Sequence, residues 1–464
     1  MTISFIFQII LILVAVVVVV RRNDRHIVFV LFVSLTADSF GVRALGPNIL
    51  LYQFISLLLL PRTLPFLPRL LKRNASIRLI VLYLGLLVIL AILFGYVVPW
   101  PDTTLQRPWQ EQAQGRAVVS LTRHLADFGF LLYLNLAARR TRILKTIVAA
   151  LLFGLVANLV VATVDRTLGI RIIDVLTSSK ALILTRVGGL NGEPRVLGRV
   201  SAIVMLFVFY LGKRRLTLLA GLALGLAGLA YSASTSALGA LAAALIFGLV
   251  AALVRRDLRS LSRYALIPVL AVVGFVMVWG GQVNKTVDTR LNTLSGMNDR
   301  APGEPAWMAR LEVFDRSAMR FLYANPEYLI FGTGPDLVSL PASDYVPRLA
   351  RAIYGYRIDS VPHTGVISIL ANGGIIGVTL WLLAILAGAK TLAACAKKAD
   401  GEDAVALGPL FSVVAVFCAI VMTPFLWGVI GLSAGIVERQ RDALRARRAL
   451  LSNAERTPPL AQAI

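Results

Sequence analysis

Apolar runs of about 17–25 residues recur along nearly the whole chain, and each is long enough to cross a hydrocarbon core as a helix. A water-soluble domain has no use for so many, because its surface helices must keep a polar face. Hydrophobic residues make up 58% and charged residues 15% of the 464 positions, against roughly 45–50% and about 25% in soluble domains. The expected fold is therefore all-α, a polytopic transmembrane helical bundle. Spans are expected near 3–20, 27–42, 47–60, 77–98, 117–137, 146–164, 196–212, 216–231, 237–254, 265–282 and 364–389. The stretch from Ala404 to Val437 is too long for one ordinary span, and Thr423-Pro424 interrupts it. A tight pair of helices there gives 13 spans in all, and a single long helix gives 12.

The formal net charge of +23 is large, but its placement points away from nucleic acid. Lysines and arginines sit in short clusters at the ends of apolar runs: Arg21-Arg22, Arg62 to Arg78, Arg139 to Lys145, Lys213 to Arg215, Arg255 to Arg263 and Lys390 to Lys398. Cations in short loops bias those loops to the cytoplasmic side and contact anionic lipid there. The chain then divides into a membrane domain, residues 1–437, and a basic cytoplasmic tail, residues 438–464. The first apolar run, Ile3 to Val20, lacks a basic leader and a small-residue cleavage site, so it reads as a retained span with its N-terminus outside. Cys395 and Cys418 have no metal-ligand or disulfide spacing; Cys395 is expected in a solvated loop and Cys418 in packed surroundings.

Two outer segments stand apart. Residues 165–195 carry Arg166, Arg171, Lys180, Arg186 and Arg195, against the charge bias. Residues 283–362 form a long periplasmic loop with charges of both signs, in which Trp307, Leu311, Phe314, Ala318 and Phe321 recur at helical spacing. Short amphipathic helices are expected there, the first ending at Asn325-Pro326. A connection this long is uncommon unless it has a function.

Four groups of residues have chemistry to offer. Arg186-Val-Gly188-Gly-Leu-Asn191-Gly-Glu193-Pro194-Arg195 runs into a helix in which Arg195 and Arg199 share a face. Guanidinium forks grip phosphate in bidentate fashion, which makes Arg186, Glu193, Arg195 and Arg199 candidate substrate-binding residues. The bland alternative is a helix start at Pro194 with arginines snorkelling to headgroups. Arg290, and Arg310 to Glu312 before Asn325-Pro326 and Gly332-Thr-Gly334, add a second basic group, although surface ion pairs and a tight turn would explain them equally. In Asp359-Ser-Val-Pro-His363-Thr-Gly365, His363 is expected in the first turn of the following helix, where the positive helix end favours a neutral ring able to accept a proton. A polar cap is the structural alternative. Gly373, Gly374 and Gly377 suit close helix packing. Lastly, Arg123, His124 and Asp127 lie at membrane depth; Arg123 and Asp127 are spaced to pair, and a structural ion pair is as good a reading as a substrate contact. These three are secondary candidates. The outer loops contain no Asp-x-Asp and the chain no cluster with metal-ligand spacing, so neither a metal nor a cofactor is expected.

At these residues the chain resembles the O-antigen ligase and O-antigen polymerase family of membrane glycosyltransferases. The likeness runs from Arg186 to Lys390: Arg186 to Gly189 before a span, Arg310 in the long loop, Asn325-Pro326 with Gly332-x-Gly334, and His363 leading into Gly373 to Gly377. Thr364 departs from the pattern, since the family commonly has Asn after the His. Glu193-Pro194 looks more like the exopolysaccharide and O-antigen polymerases than the lipid A-core ligases. The resemblance implies an enzyme of the bacterial inner membrane whose active site faces the periplasm. Its donor would be an undecaprenyl-diphosphate-linked oligosaccharide, and its acceptor a glycan on a second lipid-linked chain (polymerase) or on lipid A-core (ligase). A chain-length regulator is a further candidate partner. On this reading His363 and Arg310 are catalytic, and Arg186, Glu193, Arg195, Arg199 and Arg290 bind substrate. A flippase for the same lipid-linked glycan is the competing class, disfavoured by the long loop and by the lack of an evident inverted repeat.

Overall fold

The computed structural model describes residues 3–42, 49–98, 112–169, 172, 188–191, 193–254, 305, 307–308, 311–346, 361–396, 402–421 and 423–456. The expected span at 265–282 lies outside them, as do Arg186, Arg290 and Arg310.

Helices dominate the described residues. The first half contains α1 (Ile3–Val20), α2 (Asp24–Leu35), α3 (Leu51–Thr63), α4 (Leu67–Arg73), α5 (Ala75–Ile92), α6 (Ala113–Arg140) and α7 (Leu144–Leu168). It is followed by α8 (Pro194–Leu211), α9 (Arg215–Ser232) and α10 (Thr235–Val254). The long loop contributes α11 (Val313–Ala324), α12 (Pro326–Phe331) and the short α13 (Ser339–Ala342). The chain closes with α14 (Gly365–Ala396), α15 (Glu402–Ile420) and α16 (Phe425–Arg456). Among the described residues, nine helices are long and apolar enough to cross a membrane. The chain is an all-α, multi-pass membrane protein.

Several boundaries differ from expectation for local reasons. The second span stops at Leu35, because residues 36–42 turn and pair as a strand (Gly41–Val42) with Ile49–Leu50 in an antiparallel ribbon. Gln8 Nε2 of α1 donates to the Gly41 carbonyl at 3.1 Å and anchors that ribbon. The Ala404–Val437 stretch is two helices, α15 and α16, separated at the expected Thr423-Pro424. No break separates residue 437 from 438; α16 continues to Arg456. Its early turns are tied to the bundle, since Arg139 Nη2 donates to Asp442 at 2.6 Å and Arg439 Nη1 donates to the Ala138 and Thr141 carbonyls at 3.0 Å each. Cys395 is buried against Gln440 rather than solvated, because α16 covers it; Cys418 is buried as expected.

The core runs down the middle of α6, where every residue from Phe128 to Ala138 is buried, between α3 and α16. Hydrocarbon offers no hydrophobic drive between helices, so small residues that permit close backbone approach carry the packing. On α16, a Cβ at Gly431 would sit 2.3 Å from the Leu131 carbonyl oxygen, and one at Gly435 would sit 2.4 Å from that of Asn135.

Candidate active site

Three outer elements converge at the start of α14. The first is the turn before α8. Gly189 has φ of 60° and lies so close to α7 that a Cβ would meet the Asn158 carbonyl at 2.5 Å. Buried Asn158 fixes the turn: its Oδ1 accepts from Leu190 N at 3.0 Å and from Asn191 Nδ2 at 2.8 Å, while its own Nδ2 donates to the Thr36 carbonyl. Asn191 Oδ1 in turn accepts from Asp38 N at 3.1 Å. The end of α2, the end of α7 and the start of α8 are thus one hydrogen-bonded unit. Pro194 begins α8, and Arg195 and Arg199 follow on adjacent turns.

The second element is α11. The expected amphipathic helix starts later than its apolar spacing indicated, at Val313, leaving Trp307 outside it and 52% exposed. Its buried face keeps Ala318 and Phe321 and adds two charged residues, Asp315 at 2% and Arg316 at 1% exposure. Asp315 explains where His363 sits. Its Oδ1 accepts from His363 N at 2.8 Å and Thr364 N at 3.1 Å, and its Oδ2 accepts from Thr364 Oγ1 at 2.6 Å. His363 is therefore held before α14, not in its first turn: Ser368 N donates to the Thr364 carbonyl, so Thr364 occupies the cap. The departure at Thr364 has a structural role, because its hydroxyl completes the Asp315 clamp.

Arg195, Glu312 and His363 meet at this junction. Arg195 Nη1 lies 2.6 Å from Glu312 Oε1, and His363 Nδ1 lies 3.3 Å from Glu312 Oε2 and 3.3 Å from Arg195 Nη1. Arg195 Nε is also 3.3 Å from Glu193 Oε2, and the Phe314 ring packs edge-on to the imidazole with centroids 5.1 Å apart. Arg199 lies one turn behind, and its buried Nε has no hydrogen-bond partner among the described residues. Burial alone would raise the Glu312 carboxyl, but its hydrogen bond and charge contact with His363, and then Arg195, outweigh it and hold the carboxyl down at about 2. A depressed carboxyl stabilises the contact above its ordinary 4.5, and that contribution fades as pH falls toward 2. Rate-corrected hydrogen exchange should thus find the 312–324 segment more protected in the wild type than in Glu312→Gln at pH 6, with the gap narrower at pH 3 and closing toward pH 2. An equal gap at all three pH values contradicts the assignment.

The third element is the loop after α12, which locks onto a break in α14. Gly374, inside α14, has φ of 63° and interrupts the helical hydrogen bonding. The carbonyls exposed by this break are taken by the loop: Thr333 N donates to the Ala371 carbonyl at 2.8 Å and Gly334 N to the Asn372 carbonyl at 3.0 Å. Asn372 Oδ1 accepts from Asp336 N at 3.0 Å, and Asp336 Oδ2 accepts from Ser120 Oγ of α6 at 2.7 Å. Gly332-Thr-Gly334 and Asn372-Gly373-Gly374, read separately as a turn and a packing stripe, are two halves of one joint. A Cβ at Gly374 would stand 2.1 Å from the Ile330 carbonyl oxygen, and its positive φ adds strain. Gly374→Ala should lower the melting temperature of purified protein and abolish activity, whereas Gly373→Ala, whose Cβ would meet the Tyr83 ring at 3.3 Å and Leu86 at 3.6 Å, should be far milder. Equal stability of the two variants would contradict the joint.

The secondary candidates lie elsewhere on α6. Asp127 Oδ1 accepts from the Tyr52 hydroxyl of α3 at 2.8 Å, a partner the sequence spacing did not suggest. Buried His124 has its Nδ1 2.8 Å from the Ser120 carbonyl oxygen, one turn back. Neither contacts Arg195, Glu312 or His363.

Residues 220–382 match the family model described as O-Antigen ligase. That stretch is similar to the O-antigen ligase family. The matched region spans α9 and α10, the loop elements α11 to α13 and the first half of α14, so it contains Glu312, Asp315, His363 and the Gly374 joint but not Arg195. It supports glycan transfer of the O-antigen ligase or polymerase type, acting on a lipid-linked glycan and an acceptor. No curated protein matches the chain. Within the matched stretch, Glu312 and Asp315 are the members of the candidate site that sequence reasoning missed. The only available signal was a pair of carboxylates three apart at the start of an amphipathic helix, a pattern that first-turn acids produce anyway.

Proposed function

We propose that the protein transfers an undecaprenyl-diphosphate-linked glycan to a sugar hydroxyl at the periplasmic face of the inner membrane, polymerising O-antigen or exopolysaccharide repeat units. The observation that carries this reading is the three-way contact of Arg195, Glu312 and His363 at one end of the bundle, with Arg199 behind it.

The acceptor hydroxyl oxygen attacks the anomeric carbon, the bond from that carbon to the phosphate oxygen breaks, and its electron pair leaves on undecaprenyl diphosphate. Arg195 and Arg199 meet the charge that grows on the leaving diphosphate. The hydroxyl proton goes to His363. With the ring proton on Nδ1, the imidazole donates to Glu312 and presents the Nε2 lone pair to the acceptor; the tautomer follows from the carboxylate at Nδ1. Glu312 then offsets the imidazolium as it forms. Arg186, Arg290 and Arg310 are proposed as further contacts to the diphosphate or glycan. An apolar groove of about 510 Å³, lined by Leu86, Leu90, Phe94, Tyr328, Phe331 and Ile376, is the proposed place for the lipid chain.

The name of the matched family favours a second reading, in which the glycan passes to lipid A-core. Purified protein supplied only with lipid-linked repeat units separates the two. Polymerisation yields a ladder of longer products with release of undecaprenyl diphosphate. A strict requirement for lipopolysaccharide core would overturn the polymerase reading, and movement of intact substrate across the membrane without turnover would overturn transfer altogether.

A further inference from the structure

At the end of the bundle far from His363, α14 and α16 enclose a pocket of about 250 Å³ whose walls include Lys390, Cys395, Val437, Gln440, Arg441 and Leu444. Lys390 follows Gly365 by 25 positions on α14, whose two segments on either side of the Gly374 break together extend up to about 38 Å, against a hydrocarbon thickness of roughly 30 Å. The pocket and His363 therefore lie at opposite ends of α14, and the pocket's lining shares no residue with the Arg195, Glu312 and His363 junction.

Several cations at the ends of the helices are paired with carboxylates. Arg139 pairs with Asp442 and Glu438, Arg439 pairs with Asp403 and binds two carbonyls, and Arg62 and Arg140 both face Asp24. Lys390 and Arg441 differ. Among the described residues, Lys390 makes no ion pair or hydrogen bond, and Arg441 makes a 3.4 Å hydrogen bond to the Arg73 carbonyl and acts at longer range on the Glu438 carboxylate. Two cations from different helices thus face one slot without a carboxylate. The rest of the lining is mixed, with apolar Val437 and Leu444 from α16 and Ala394 from α14 beside polar Thr391 and Gln440. Cationic slots between membrane helices at the surface recruit anionic headgroups, each cation adding attraction that a zwitterionic lipid, with its own ammonium, does not gain.

We propose that this pocket is an anionic-phospholipid site, in which Lys390 and Arg441 hold the phosphate of a phosphatidylglycerol-type headgroup and tie the end of α14 to α16. The site does not depend on the glycan-transfer reading.

Native mass spectrometry of the full chain, released from nanodiscs of equal phosphatidylglycerol and phosphatidylcholine, tests it. Phosphatidylglycerol should be retained preferentially, and Lys390→Gln with Arg441→Gln should cut that retention by about 10- to 30-fold. Lys390→Arg with Arg441→Lys should keep it, a control that separates lost charge from lost folding. Arg214→Gln, in a different basic loop, should change nothing. Retention of both lipids alike, or retention that survives loss of both cations, overturns the proposal. Millimolar inorganic phosphate should leave the lipid in place; displacement by phosphate would assign a soluble-anion site instead and likewise overturn it.

Discussion

Replacing His363 with Ala is expected to lower turnover by about 10²–10⁴-fold while leaving the KM for the lipid-linked donor nearly unchanged. That range is what a positioned general base typically contributes. The split follows from the division of labour at the junction, where arginines bear on the diphosphate and the imidazole bears on the acceptor. Folding should survive, because Glu312 keeps its 2.6 Å contact with Arg195 when the ring is gone. The loss is the edge-on contact with Phe314, worth about 0.5–1.5 kcal/mol, and one partly exposed hydrogen bond to Glu312 of about 1 kcal/mol. Initial rates at varied donor concentration, with melting curves on the same protein, measure both. Normal turnover in a well-folded His363→Ala removes the base role, and a raised donor KM with unchanged turnover would move His363 to substrate binding.

Arg195→Ala should be comparably damaging, at about 10²–10³-fold in turnover, the usual cost of removing one preorganised charge from a developing anion. Its guanidinium also holds Glu193 and Glu312 on two sides, so the variant leaves two carboxylates facing an incoming diphosphate. Arg195→Lys restores charge but not the planar fork, and only part of the activity should return. Rates for the three proteins at fixed saturating donor decide this. Equal activity of Ala and Lys variants would show that charge at residue 195 is irrelevant.

The fold was legible where hydrophobic length alone decides. Thr423-Pro424 marked the break between α15 and α16 because proline removes a helical donor whatever surrounds it. The early end of α2 was not legible, since it depends on the Gly41–Val42 ribbon and on the carbonyl of Thr36 being claimed by Asn158, a residue 122 positions away. The site divides in the same way. Arg195, Arg199 and His363 could be chosen because guanidinium and imidazole have specific chemistry wherever they sit. Asp315 could not, since its meaning lies in three hydrogen bonds to a segment 48 and 49 residues distant. Gly374 was read as a packing residue; its φ of 63° and the loop docked on it became visible only in three dimensions.

The location of the diphosphate tests the account most directly. Electron cryo-microscopy of the His363→Ala protein in nanodiscs with an undecaprenyl-diphosphate-linked repeat unit would trap the donor before transfer. The account predicts phosphate density within hydrogen-bonding distance of Arg195 and Arg199, with the first sugar facing the place vacated by the imidazole. Diphosphate density at the opposite end of the bundle, or beside Asp127 and Tyr52 with Arg195 still engaged only by Glu193 and Glu312, would contradict it.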